Sequence, residues 1–287
     1  MRKMKKKKIF LCAINNIASG GCAEDCRFCA QSARYGVQID RYGLKDPDLV
    51  LSEANEAIKY GANGYCLVSS GKSLDDRKTE YLAKTAHKLK SKTGKIRLIA
   101  CAGTAKKENL AYLKQNGIDS YNHNLETSKN YYGNICTTHD WDERFATCEM
   151  VKSVGLSLCC GGIFGLGESS KDRSDLLESL MQLKPDSVPL NFFVPNPSLP
   201  LKESKIDKKE ALSLIGFFSE KLSFASIIMV AGGREMLFGS NLEDIFEAGA
   251  NSIVIGDYLT TSGESPQSDL GRIKELGYTI AERCGEQ

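Results

Sequence analysis

A short apolar run, then an amphipathic stretch, then another apolar run: this alternation continues along almost the whole chain. The apolar runs are IFLCAI (9–14), YCLVSS (65–70), IRLIACAG (96–103), SYNHNLE (120–126), LSLCCGGIFG (156–165), SVPLNFFV (187–194), ASIIMVAGG (225–233) and SIVIGDYL (252–259). Between them, DPDLVLSEANEAIKYGA, ENLAYLKQNGI and WDERFATCEMVKSVGL carry apolar residues at helical spacing. Several of these stretches end in Gly, as a helix C-cap does. Eight strand–helix units in 287 residues predict an α/β protein, one domain over 1–287 built as a TIM-type (βα)8 barrel on a parallel sheet. An open doubly wound sheet is the alternative. Its best support is GIFGLGESS, where Gly165 and Gly167 follow a strand. Ser170 stands in place of the third glycine of a dinucleotide fingerprint, and the strand is the fifth rather than the first.

A chain that is 41% hydrophobic and 26% charged can bury a large core. Its net charge of +2 gives no electrostatic ground for a nucleic-acid partner. The basic opening MRKMKKKK (1–8) resembles the start of an export signal, but Asn15 and Asn16 cut the apolar run behind it short. We read it as a solvated tail. No run approaches the ~20 apolar residues of a membrane span. The expected compartment is therefore the reducing cytoplasm, where the eleven cysteines would stay free of disulfides.

Three of those cysteines crowd into GGCAEDCRFCAQSARYG (20–36), a loop just after the first strand, as Cys22, Cys26 and Cys29. The array C-x3-C-x2-C can be read as a zinc site, a disulfide framework or an iron–sulfur site. Structural zinc takes four ligands, usually as two C-x2-C pairs, whereas three thiolates on a cubane leave one iron open to bind something else. In a barrel, functional groups gather at the C-terminal strand ends. Cys66, Cys101 and Cys159 lie in the second, third and fifth strands, and Asn122, Asn124 and Glu126 share one face of the fourth. Six thiols converging on one mouth point to two metal centres. Cys12, Cys136, Cys148 and Cys284 have no ligand-like neighbours in sequence and are read as buried apolar residues.

With Phe28 ahead of its last cysteine and GGIFGLGE at 161–168, the array resembles the radical S-adenosylmethionine superfamily. GCAEDCRFCAQSARY, YNHNLETS, YYGNICTT, GGIFGLGES, SVPLNF, AGGRE and GANSIVIGDYLTT are similar, in order and over about 20–261, to the biotin synthase family. That resemblance implies a radical sulfurtransferase that converts dethiobiotin to biotin. It implies a [4Fe–4S] cluster on Cys22, Cys26 and Cys29, with S-adenosylmethionine on the open iron. Cys66, Cys101 and Cys159 would hold an auxiliary, sulfur-donating cluster, a [2Fe–2S] centre in the family. Phe28, Asn124, Glu126, Arg144, Gly162 and Ile163 would surround S-adenosylmethionine. Asn122, Asn124 and Asn191 would face dethiobiotin, an amide suiting a urea because it both donates and accepts. Thr260 and Thr261 would hold its carboxylate. An electron donor such as flavodoxin or ferredoxin, and a homodimer, are implied as well.

The match breaks in four places. Glu126 stands where the family has Asp, and much of an N-terminal extension common in relatives is missing. Met229 occupies the position of an arginine ligand to the auxiliary cluster, and Cys159-Cys160 replaces Cys-Ser. A thioether is a weak neutral ligand. Either the auxiliary cluster has a neutral ligand beside three thiolates, or Cys160 joins them. Neighbours on a regular strand face opposite ways, so Cys160 turns inward only if Gly161-Gly162 allow a bulge. Two other readings stay open: another radical enzyme on this scaffold, and a non-catalytic metal-binding protein.

Overall fold

The computed structural model describes residues 8–94 and 96–283; the basic tail before Lys8, and Cys284, lie outside the described residues. Its strands are β1 (Lys8–Ala18), β2 (Gly64–Ser69), β3 (Arg97–Cys101), β4 (Ser120–Asn122), β5 (Ser157–Cys159), β6 (Gly162–Phe164), β7 (Ser187–Phe192), β8 (Ile227–Val230), β9 (Ser252–Val254) and β10 (Thr279–Ile280). The helices are α1 (Pro47–Lys59), α2 (Asp76–Thr93), α3 (Lys107–Gln115), α4 (Lys129–Tyr132), α5 (Trp141–Ser153), α6 (Ser170–Leu183), α7 (Lys208–Lys221), α8 (Arg234–Phe238), α9 (Glu243–Glu247) and α10 (Pro266–Glu275).

Every pairing between these strands is parallel, and β1 pairs both β2 and β9, so the sheet closes. β5 and β6 share one position beside β7, which gives the eight staves of a TIM-type barrel; β10 pairs only with the start of β1. Parallel strands covered by helices are buried on both faces, and β2 is buried at every residue. Local chemistry sets the helix starts. Asp46 caps α1 ahead of Pro47, Asp75 caps α2, and Asp140 with Glu143 forms a capping box on α5. The inward face of α2 is Leu82, Ala83, Ala86 and Leu89, the helical spacing of an amphipathic element.

Two strands differ from expectation. The run 120–126 is regular strand only to Asn122; beyond it the chain turns, and Glu126 adopts a left-handed φ of 67°. The run 156–165 splits between Cys159 and Gly162. At Gly161 a side chain would collide with the Pro189 carbonyl, so β7 approaches there as only glycine permits.

Candidate active site

A cavity of about 440 Å³ occupies the barrel and opens at the C-terminal strand ends. Its wall follows the period-two rule of a strand. Cys12 and Ile14 face it from β1, Cys66 and Val68 from β2, Ile99 and Cys101 from β3. Asn122 faces it from β4, Cys159 from β5, Pro189 and Asn191 from β7, and Met229 from β8. The three expected auxiliary thiols are thus on one wall. Cys12, read in the sequence as an apolar filler, joins them and packs with Cys66, Cys101 and Met229. The signal that finds it is phase: Cys12 lies two residues before Ile14 on the strand beside Cys66.

Burial, and then the neighbouring Cys101, Cys12 and Cys159 sulfurs, push the Cys66 thiol well up. Burial, then Glu126, raises Cys101 to about 12, against a smaller downward pull from Arg144. Thiols packed among apolar side chains stay protonated unless a cation supplies the charge that ionises them, so this donor set fits a metal cluster.

Cys160 is not among these thiols. It is fully buried in the helix-facing core, and its Sγ is 3.7 Å from Cys148 Sγ on α5. The break after β5 exists, yet Cys160 N–H still donates to Ser187 O at 2.9 Å, which keeps its side chain outside the barrel. The alternative in which Cys160 completes the auxiliary site is therefore corrected.

The rim carries the other three thiols. Cys22, Cys26 and Cys29 are each partly exposed, and Cys29, beside Phe28, reaches the cavity. The loop closes on itself: Cys29 N–H donates to Cys26 O (3.0 Å) and Ala33 N–H to Cys22 O (2.7 Å). It is pinned from outside by Asp25, whose Oδ1 accepts Thr137 N–H (2.9 Å), Thr138 N–H (3.2 Å) and the Thr138 hydroxyl (3.1 Å). Burial alone would raise the Asp25 carboxyl, but these hydrogen bonds outweigh it and hold it well below the usual carboxylate range.

That contact brings in residues with no short-range signature. Cys136 Sγ is 3.7 Å from Cys26 Sγ, and donor atoms of Cys26, Cys136 and His139 lie within 4.8 Å of one another. Cys136 is thus no isolated filler. Glu24 meets His139 Nδ1 at 2.9 Å. His123, by contrast, is buried away from the cavity lining, in line with its place between Asn122 and Asn124.

Among the residues expected around ligands, Asn122, Asn124, Glu126, Ile163, Asn191, Thr260 and Thr261 all line the cavity. Arg144 and Gly162 stand behind it. Arg144 pairs with Glu126 Oε1 (3.0 Å) and donates to Asn124 O (2.6 Å), so it aims the lining residues instead of forming the wall. Glu126 Oε2 is buried with no hydrogen-bond partner. An orphaned carboxylate oxygen beside Cys29 and Phe28 fits a ligand that brings hydroxyl donors. Asn191 is gripped at both ends: Nδ2 donates to Gly162 O (3.1 Å) and Oδ1 accepts Gly232 N–H (3.0 Å). One N–H and one lone pair remain for a guest. The Thr260–Thr261 loop is braced by Arg234, fully buried in a bidentate pair with Asp269 (2.8 and 2.7 Å), and by the Tyr258 hydroxyl on Glu235 (3.2 Å).

Residues 16–180 match the Radical SAM superfamily, and 189–279 match the Biotin and Thiamin Synthesis associated domain. A protein of Sulfurovum sp. (strain NBC37-1) named "Biotin synthase" is 55% identical over 279 residues, covering 97% of this chain and 98% of its own. The chain belongs to the biotin synthase family. A Nautilia profundicola member of that family is 54% identical over 97% of this chain and 100% of its own length. Solved structures agree on the fold. The FeFe-hydrogenase maturase HydG from Carboxydothermus hydrogenoformans superposes with a TM-score of 0.82 at 16% identity, over 94% of this chain and 67% of that one. Methylornithine synthase (PylB) gives 0.78 at 19% identity, over 96% and 84%. The first matched segment ends within α6 and the second begins within β7, and together they build one closed barrel. Among the described residues, no helix is long and apolar enough to cross a membrane.

Proposed function

We propose that this chain is a biotin synthase that converts dethiobiotin to biotin with S-adenosylmethionine. The observation that carries the reading is the shared cavity: Cys29 of the rim triad, the wall thiols, Asn191 and the Thr260–Thr261 loop face one space. When bound, a [4Fe–4S] cluster with S-adenosylmethionine would supply radical chemistry at unactivated carbon, and an auxiliary cluster would supply sulfur.

The chain's own part is to hold, orient and exclude. Cys22, Cys26 and Cys29 hold the first cluster, and Phe28, Asn124, Glu126 and Ile163 flank S-adenosylmethionine, with Arg144 fixing Glu126 and Gly162 giving its carbonyl to Asn191. Asn191, with Asn122 and Asn124, receives the ureido ring, and Thr260–Thr261 receive the carboxylate at the mouth. Apolar neighbours such as Ile14, Val68 and Met229 keep water from the space between them. Cys66, Cys101 and Cys159 hold the auxiliary cluster. We assign its fourth sulfur to Cys12, since Met229 offers only a thioether. Four thiolates suit a [2Fe–2S] and a [4Fe–4S] centre alike, so the ligand set by itself selects neither type. From likeness to the family we add a single domain, a cytoplasmic setting, a homodimer, and a reductant such as flavodoxin or ferredoxin.

Anaerobically purified protein, assayed for iron, sulfide and turnover of dethiobiotin, tests the reading. Two clusters and biotin formation are expected. One cluster without biotin would move the chain to another radical reaction, and zinc in place of iron would remove it from this chemistry. Mössbauer spectra of wild type and Cys12→Ser test the fourth ligand; identical spectra would return that position to a neutral group.

A further inference from the structure

The cavity does not end at the wall thiols. It continues down the barrel to the N-terminal strand ends, where Gly64 of β2, Arg97 of β3, Ser120 of β4, Ser187 of β7 and Ser252 of β9 line it. A TIM-type barrel ordinarily fills its interior layers with bulky branched side chains. Here three serines and a glycine stand in the lowest layer. A Cβ at Gly64 would meet Cys12 Sγ and Ile99 Cδ1 at 3.4 Å, so any side chain there would crowd the wall. Phe10, Ile227 and Ala281 pack together across the β8–β9–β1 half of the floor. The opposite half presents small side chains and Arg97, which is partly exposed.

The floor is rich in unspent hydrogen-bond donors. Ser120 already donates to Ser157 O (2.9 Å), but Ser252 Oγ is fully buried with no hydrogen-bond partner. Strand register sets these hydroxyls against the wall: Ser187 pairs with Cys159, and Ser252 with Met229. The carboxylates that precede Ser120 and Ser187 are engaged elsewhere. Asp119 Oδ2 meets Lys90 Nζ (2.6 Å) and accepts Leu98 N–H (2.7 Å), while Asp186 Oδ2 accepts Leu158 N–H (2.8 Å). Among the described residues, no carboxylate pairs with the Arg97 guanidinium. A guanidinium and free hydroxyls lining a narrow apolar passage attract a small anion and repel a cation.

We propose that the barrel floor is an anion entry that takes hydrosulfide, drawn in by Arg97 and received by Ser187 and Ser252, and passes it to the auxiliary cluster from beneath. The inference rests on the proposed role of the wall thiols as ligands of a sulfur-donating cluster. It separates two traffics: dethiobiotin and S-adenosylmethionine use the mouth, and replacement sulfur uses the floor. Incorporation involves no redox change. Hydrosulfide gives its proton to water in the passage, and the sulfide left takes over the iron bonds of the sulfur that departed.

The test uses hydroselenide, the heavier analogue, added anaerobically to full-length protein carrying both clusters, without reductant. After desalting at successive times, anomalous X-ray scattering from crystals locates selenium at the wall and the rim separately. Selenium is expected to enter the wall at the same rate with and without S-adenosylmethionine and dethiobiotin at the mouth. Arg97→Gln should slow wall uptake roughly tenfold, with rim uptake unchanged, and Arg97→Lys should recover most of that loss. Ser252→Val should slow wall uptake at unchanged iron content. Wild type alone offers a second readout, since wall uptake of an anion steered by charge should fall as salt rises. Wall uptake that stops when the mouth is filled, that ignores salt, or that is equal in wild type and Arg97→Gln would overturn the proposal. Absence of a wall cluster in wild type would instead defeat the functional reading beneath it.

Discussion

The rim and the wall of this barrel both present thiols to metal, yet they place them by different physics. On the wall, Cys12, Cys66, Cys101 and Cys159 are fixed by strand register: paired strands and a period of two leave each side chain one inward direction. On the rim, Cys22, Cys26 and Cys29 ride a loop whose shape depends on side-chain hydrogen bonds, chiefly Asp25 to the Thr137–Thr138 segment. A sheet tolerates the loss of one side chain without losing its geometry. A loop held by scattered hydrogen bonds, with Asp25 the main tie to the Thr137–Thr138 segment, tolerates it less. The wall is therefore expected to lose chemistry and keep shape when a ligand is removed, whereas the rim is expected to loosen as well.

The hardest test of that contrast sets Cys26→Ala against Cys66→Ala. Cys26→Ala removes a rim ligand, and 5′-deoxyadenosine formation should drop by more than about a hundredfold. Cys66→Ala should leave 5′-deoxyadenosine formation within a few-fold of wild type while biotin formation disappears. Product analysis by mass spectrometry separates the two. Loss of 5′-deoxyadenosine in both variants would erase the division of labour between rim and wall.

Next in size is Asn191→Ala. The amide holds the Gly162 and Gly232 backbones as well as facing the cavity. Removing it leaves a buried urea short of a partner, which costs about 1–3 kcal/mol, a rise in dethiobiotin KM of roughly 5- to 150-fold. 5′-Deoxyadenosine formation without substrate should be unaffected. An unchanged KM would take Asn191 out of the substrate pocket.

How legible each region was in the sequence follows from the same difference. The wall could be read because a strand's pattern is local: once IRLIACAG is a strand, Ile99 and Cys101 face the same way. Cys12 obeyed that rule and was still passed over, since a single thiol without a spaced partner reads as an apolar residue. Strand four was read to Glu126 but ends at Asn122, because the left-handed turn at Glu126 is imposed by Gly162 and Arg144 from distant segments. The rim's partners could not be read at all. Cys26 and Cys136 are 110 residues apart, joined by a contact between two loops that no periodicity encodes.

A smaller effect probes the pin itself. Asp25→Asn keeps the side chain's size but removes its charge and one acceptor, weakening the bonds from Thr137 and Thr138 by about 1–2 kcal/mol. Cluster assembly should survive. Under chelator, rim iron should leave several-fold faster than in wild type, with wall iron leaving at its former rate. Equal acceleration at both sites would show the two regions to be mechanically coupled.

The smallest expected effect falls on the residue that tests register most directly. Cys159 and Cys160 are adjacent, and one faces the cavity while the other is packed against Cys148. If register alone decides membership of the wall, Cys160→Ala is only a core truncation, costing about 1 kcal/mol through a small void between β5 and α5. Its thermal midpoint should fall slightly, its iron content and Mössbauer spectrum should match wild type, and Cys148→Ala should do the same from the other side of the contact. Cys159→Ala, one residue away, should strip the wall cluster. A Cys160→Ala protein that lost wall iron while Cys148→Ala kept it would mean that the strand end can turn over when metal arrives. The wall would then depend on a mobile segment as the rim does, and strand register would no longer explain which thiols bind.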